Sequence, residues 1–247
     1  MPLTTEDCIA AISTHSAGFA TAVRGNLDAR VEHCPDWSVA DLVWHLTNVH
    51  WFWATIAEEQ PSSPPDETRR PGRVPDDGLV GTFESGAARL VQVLRDADQS
   101  ASCWTWAPLQ QDVAFITRHQ VQEAAVHHWD AVNAAGGTLE IEPAIASDSI
   151  EEFLTFSVSS DADPAEPARP ALDGSFTLRA TDIDASWTLT DGRSPGTMLA
   201  RPVADDAPEI AAAASDLLLW LYARTDLDTS AVDPALLGRF RDLCFTD

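Results

Sequence analysis

The chain has 247 residues, enough to bury a sizeable core without disulfide or metal staples. Hydrophobic residues at 45% and charged residues at 22% exclude a disordered chain. A formal net charge of −24 repels a phosphate backbone and excludes nucleic acid as a partner, and the fifteen basic residues are all Arg, which excludes lysine-based Schiff-base and phosphate-loop chemistry.

The first predicted helix runs from about Thr5 to Gly25. Thr4 and Asp7 form a capping box, and Ile9, Ile12, Phe19 and Val23 keep helical spacing. The second opens at the N-cap Ser38, with Asp41 three residues on and Trp37 and Leu42 placed as a hydrophobic staple. Leu42, Leu46, Val49 and Trp53 share one of its faces. Residues 60–77 carry Pro61, Pro64, Pro65, Pro71 and Pro75 and read as a loop. A third helix, about Leu79 to Asp96, has Phe83, Ala87, Leu90 and Leu94 as its stripe. A connection with Trp104 and Trp106 leads to a fourth helix, about Gln111 to Ala135, which stops at Gly136-Gly137. Four such helices predict an up-and-down four-helix bundle.

The pattern then changes. A helix is expected over Ser147 to Val158 and a loop over Ser159 to Gly174. Short β-like runs follow at Ser175–Ala180, Ala185–Thr190 and Thr197–Arg201, with an Asp191-Gly192 turn. Ser215 reads as the N-cap of a last apolar helix, Asp216 to Arg224. The fold class expected is therefore α+β: a bundle over residues 1–140 and a small α+β domain over 141–247. The longest apolar run, Leu217 to Tyr222, cannot span a bilayer, and the first residues show no signal-peptide pattern, so a cytoplasmic protein with no membrane partner is expected. Cys8, Cys34, Cys103 and Cys244 are scattered and read as reduced, mostly buried thiols.

Three polar side chains sit where a bundle interior prefers apolar ones. Glu123 and His127 are four residues apart and share one face of helix four. On helix two His45 lies about 60° from Leu42, on the half that carries Leu46 and Val49. Two imidazoles and a carboxylate suit zinc or another divalent metal, and three protein ligands leave a fourth position open, as in catalytic sites. By spacing alone an ordinary surface Glu–His pair competes with this reading. His50 is turned about 140° from His45 and cannot easily reach the same ion. His119, four residues before Glu123, is a rival ligand; His128 faces away from His127; Asp130 either orients a ligand or is solvated. Of the nine Trp residues, Trp44, Trp51, Trp53 and Trp129 lie near these positions and suit either core or a ligand cleft, with core favoured.

Three segments carry a resemblance. Asp36-Trp37-Ser38 through Trp44-His45-Leu46, Arg118-His119 through His127-His128-Trp129-Asp130, and Ser215 through Leu221 with Arg224 are similar to motifs of the DinB-like, mycothiol-dependent maleylpyruvate isomerase family. The resemblance implies that His45, Glu123 and His127 hold a zinc ion and that mycothiol is the thiol cosubstrate. The function it implies is an isomerase or thiol S-transferase, in which a metal-bound thiolate adds to an electrophilic small molecule. Arg118 is the candidate contact to an anionic part of the thiol or substrate. A metal-dependent hydrolase and a non-catalytic small-molecule-binding bundle are the alternatives.

Overall fold

The structure is a computed structural model that describes residues 2–158, 171–193, 198–201 and 207–245. Its elements in chain order are α1 (Thr5–Val23), α2 (Val39–Glu59), α3 (Asp76–Asp96), α4 (Val113–Ala134), α5 (Pro143–Phe156), β1 (Ser175–Ala180), β2 (Ser186–Asp191), β3 (Met198–Arg201), β4 (Glu209–Ala212), α6 (Ala214–Leu221) and α7 (Pro234–Leu243). The fold class is the expected one, helices first and a small α+β part after them. The contacts divide the chain into two compact units, Leu3–Ile141 and, with the first two residues, Glu142–Asp247.

In the first unit the starts of α1 and α2 follow from their caps. Thr4 and Ser38 each accept a hydrogen bond from the backbone N–H three residues on, and Asp7 and Asp41 in turn each accept one from the cap residue's N–H. Arg73 and Ser38 together hold the Asp41 carboxyl down at about 2, so it stays charged at the positive end of α2. Asp112 caps α4, and Gly136, at φ 74°, supplies the left-handed residue that ends it.

Pairwise contacts give the helix directions. His15 meets His128 and Asn26 meets Ala134, so α1 and α4 run parallel. His50 stacks on Phe83 and Glu58 pairs with Arg89, so α2 and α3 also run parallel. His45 meets His127 while Trp53 meets Phe115, so α2 and α4 oppose each other. The order is up, down, down, up, which corrects the alternating up-and-down order expected: α2 and α3 are joined by a connection long enough to return the chain, so they need not be antiparallel. The long proline-rich connection between α2 and α3 returns the chain along the whole length of α2. Phe19, Val39, Leu42, Leu46, Leu79 and Phe83 are fully buried in this core, with the Phe19 and Phe83 rings 4.7 Å apart.

The seam between α1 and α4 is tight at one point. A Cβ on Gly18 would lie 2.2 Å from Cε1 and 2.4 Å from Nε2 of His128, whose Nδ1 is 3.1 Å from Nδ1 of the buried His15. An alanine normally strengthens a helix interior by about 1 kcal/mol relative to glycine. Here Gly18→Ala is expected to do the reverse and destabilise the bundle by about 1–3 kcal/mol, because the whole imidazole must move and its pairing with His15 is lost. Urea unfolding of the variant measures this; a stabilised variant would show that the seam yields freely.

In the second unit a four-stranded sheet has the order β3-β2-β1-β4. β1 and β2 are antiparallel with Thr177 opposite Thr188, whose buried hydroxyls bond at 2.8 Å. β2 and β3 are antiparallel and β1 and β4 parallel. The expected turn after Asp191 falls between β2 and β3, and residues 194–197 of that connection lie outside the described residues. Most of the loop expected over Ser159 to Gly174 also lies outside them.

Two elements went unanticipated. β4 holds Glu209-Ile210-Ala211-Ala212, a weak strand sequence that its parallel pairing with β1 recruits. α7 carries its own start signal, Asp233 as N-cap with Pro234 at the first turn. Its Phe240 ring stacks on Trp220 and meets Phe176 edge-on. Arg241 lies over the Trp220 ring at 4.1 Å and donates to the carbonyls of Trp220 and Leu221. The expected Ser215 cap is a correction. Ser215 is buried inside α6, and the first N–H of that helix, from Ala214, donates instead to Asp182 at 2.9 Å.

Candidate metal centre

Helix pairing decides which of the polar side chains meet. One ligand-type atom from each of His45 on α2 and Glu123 and His127 on α4 lies within 4.8 Å of the others. The His45 and His127 rings stand edge to face with centroids 5.0 Å apart, and Glu123 Oε2 is 3.6 Å from His127 Nε2. His45 and Glu123 are half-buried, and only 9% of His127 is exposed. The indole of Trp37, the residue before the α2 cap, backs His45 at 4.8 Å.

His127 is held from behind. Its Nδ1 is 3.0 Å from Oδ2 of Asp130, which is 1% exposed. Of the two readings of Asp130, the solvated one is therefore ruled out. A buried carboxylate takes the N–H, so Nδ1 carries the proton and the Nε2 lone pair faces Glu123 and His45.

The remaining imidazoles are elsewhere. His50 is completely buried, stacks on Phe83 at 5.3 Å, and among the described residues makes no hydrogen bond from either nitrogen. Burial, and after it the nearby His127, pulls its pKa from 6.5 to about 3, so it is neutral. His128 faces α1, as its direction from His127 implied. His119 stands one turn from Glu123 with Nε2 3.8 Å from Oε1, outside the group of three. It stacks on Phe115 and meets Trp53 and Trp106 edge-on. Nothing in the linear pattern pointed to that enclosure, because Trp106 lies in a connecting segment. Arg118 is half-buried on α4.

The donor set fits a divalent metal. Two imidazole nitrogens and one carboxylate oxygen on facing helices, with one imidazole already oriented by a carboxylate, suit zinc and its neighbours. Cysteine is not part of this set. Burial pushes the Cys103 thiol up to about 11, helped by the charge of Asp112, so it stays protonated and a poor nucleophile at neutral pH. Trp53 is buried, whereas Trp44, Trp51 and Trp129 are half-buried. Among the described residues no helix is long and apolar enough to cross a membrane.

Comparison with known proteins gives two matches. Residues 9–132, half of the chain, match the mycothiol maleylpyruvate isomerase N-terminal domain. The fold is similar to that in a crystal structure of the mycothiol-dependent maleylpyruvate isomerase, with a TM-score of 0.65 at 12% identity, over 94% of this chain and 95% of that one. No curated protein matches.

Proposed function

The chain belongs to the family defined by the mycothiol maleylpyruvate isomerase N-terminal domain, and we propose that it is a metal-dependent, mycothiol-using enzyme acting on an electrophilic small molecule. The observation that carries this reading is the convergence of His45, Glu123 and His127 within 4.8 Å. A divalent metal, zinc by preference, would there hold a thiol as its thiolate at neutral pH.

The chain's own residues do the rest. Asp130 fixes the His127 tautomer and aims Nε2 into the site. Three protein ligands leave one position for the thiol. Trp37 backs the His45 ring and restricts its rotation. Arg118 is assigned the contact to an anionic group of the thiol or the electrophile. Addition of the thiolate to one carbon of a C=C bond would open its π bond and leave the electron pair on the conjugated neighbour; rotation about the remaining single bond and expulsion of the thiolate give isomerisation, whereas protonation of that neighbour with the C–S bond kept gives S-transfer. Residues 1–140 form the metal-binding domain in this assignment, and 141–247 a separate α+β domain, in a cytoplasmic protein without a nucleic-acid partner.

Elemental analysis paired with a thiol-dependence assay tests the reading. The expected result is about one divalent ion per chain and turnover of at least one electrophile in a panel only when mycothiol is present. A protein that takes up no zinc and gains no stability from it would support a ligand-binding bundle instead. Turnover of esters or amides without thiol would establish the hydrolase.

A further inference from the structure

His119 is a polar residue buried among aromatic rings. Only 4% of it is exposed, and three aromatic rings enclose it: Phe115 stacked at 5.3 Å, with Trp106 at 5.3 Å and Trp53 at 5.6 Å edge-on. Polar groups approach it as well. The Nε2 amide nitrogen of Gln122, itself 1% exposed, is 2.9 Å from Nδ1. Glu123 Oε1 is 3.8 Å from Nε2.

The amide nitrogen can only donate, so Nδ1 must accept and the ring proton sits on Nε2. That nitrogen lies 3.8 Å from Glu123 Oε1. The two oxygens of Glu123 thus face two different imidazoles, Oε2 toward His127 and Oε1 toward His119.

We propose that His119 is a positioning residue for the metal centre: its Nε2–H, set by Gln122 and held by the aromatic enclosure, engages Glu123 Oε1 and leaves Oε2 as the single oxygen offered to the metal. The inference rests on the metal reading above. His119 does for the carboxylate what Asp130 does for the His127 imidazole, so the two ligands on α4 are each held from behind by a neighbour on the same helix. The 3.8 Å separation is longer than a hydrogen bond, and a small turn of the carboxyl group toward His119 would close it. Binding one oxygen favours a compact, four-coordinate site with its open position intact, whereas a carboxylate free to chelate through both oxygens would crowd that position.

Two substitutions separate this role from ring packing. His119→Phe keeps an aromatic ring inside the enclosure and removes the N–H. His119→Gln loses the ring but places an amide N–H near the former Nε2. Zinc affinity is measured by competition with a chromogenic chelator, and the ligand field by the visible spectrum of the cobalt-loaded protein. Thermal unfolding of the metal-free proteins checks the fold. The expected result is a fall in zinc affinity of about 10–100-fold for His119→Phe, with an altered cobalt spectrum, and affinity close to wild type for His119→Gln. Wild-type affinity in His119→Phe would overturn the proposal. So would a fall of about 10-fold or more in a folded His119→Gln, measured against wild type, which decides the matter even if the phenylalanine variant does not fold. A wild-type protein that binds neither zinc nor cobalt is a different failure, that of the metal reading itself.

Discussion

His127→Ala is expected to abolish metal binding and activity together, while His50→Ala leaves both largely intact. The two residues are both buried imidazoles in the same bundle, yet they have opposite surroundings. His127 points Nε2 toward Glu123 and His45 and has its other nitrogen tied to Asp130. Removing it leaves one imidazole and one carboxylate, a set that seldom holds zinc against water. Metal content should fall from about one ion per chain to near zero, and thiol-dependent turnover should fall with it. His50 stacks on Phe83 and belongs to no ligand group among the described residues. Metal retained in His127→Ala, or lost in His50→Ala, would show that the centre is built on other residues.

The second large effect concerns stability. His50→Leu is expected to stabilise the metal-free protein, by an amount that grows as the pH falls. At neutral pH the gain is about 1–3 kcal/mol, because both imidazole nitrogens are buried without a partner among the described residues and leucine has no such groups. Below about pH 6.5 a second contribution enters. The unfolded chain then takes up a proton at His50, while the native protein, with its pKa held to about 3 by burial and by His127, does not. The unfolded state binds more protons, so native stability decreases as pH falls through the window from 6.5 to about 3. Over the full window this amounts to roughly 4 kcal/mol. Leucine removes it, so the stability curves of wild type and variant should diverge on acidification. Urea unfolding of both proteins across this range tests the idea, and parallel curves would disprove it.

Much of the site was legible because helices encode their own faces. The Glu123–His127 spacing puts both side chains on one side of α4 whatever that helix packs against. The Thr4–Asp7 and Ser38–Asp41 capping boxes mark helix starts from four residues each. Periodicity likewise separated His45 from His50, since a helix cannot turn both toward one point. It did not say which of the two meets α4; the resemblance of the His-Leu segment chose His45, and the packing places it there.

The rest depended on contacts between distant parts of the chain. Asp130 could have been solvated or bonded, and only its burial with Nδ1 of His127 at 3.0 Å distinguishes the two. The enclosure of His119 needs Trp53 from α2 and Trp106 from a connecting segment, and no local pattern brings those rings together. β4 exists as a strand because β1 offers it a parallel partner, and the first N–H of α6 finds Asp182 rather than the nearby Ser215. Local sequence sets which side of a helix is apolar and where a helix can begin, because those energies act within a turn or two. The rotation of one helix against another, the direction in which the chain returns, and the partner of each buried polar group are decided by packing across the fold, where groups far apart in sequence compete for the same space.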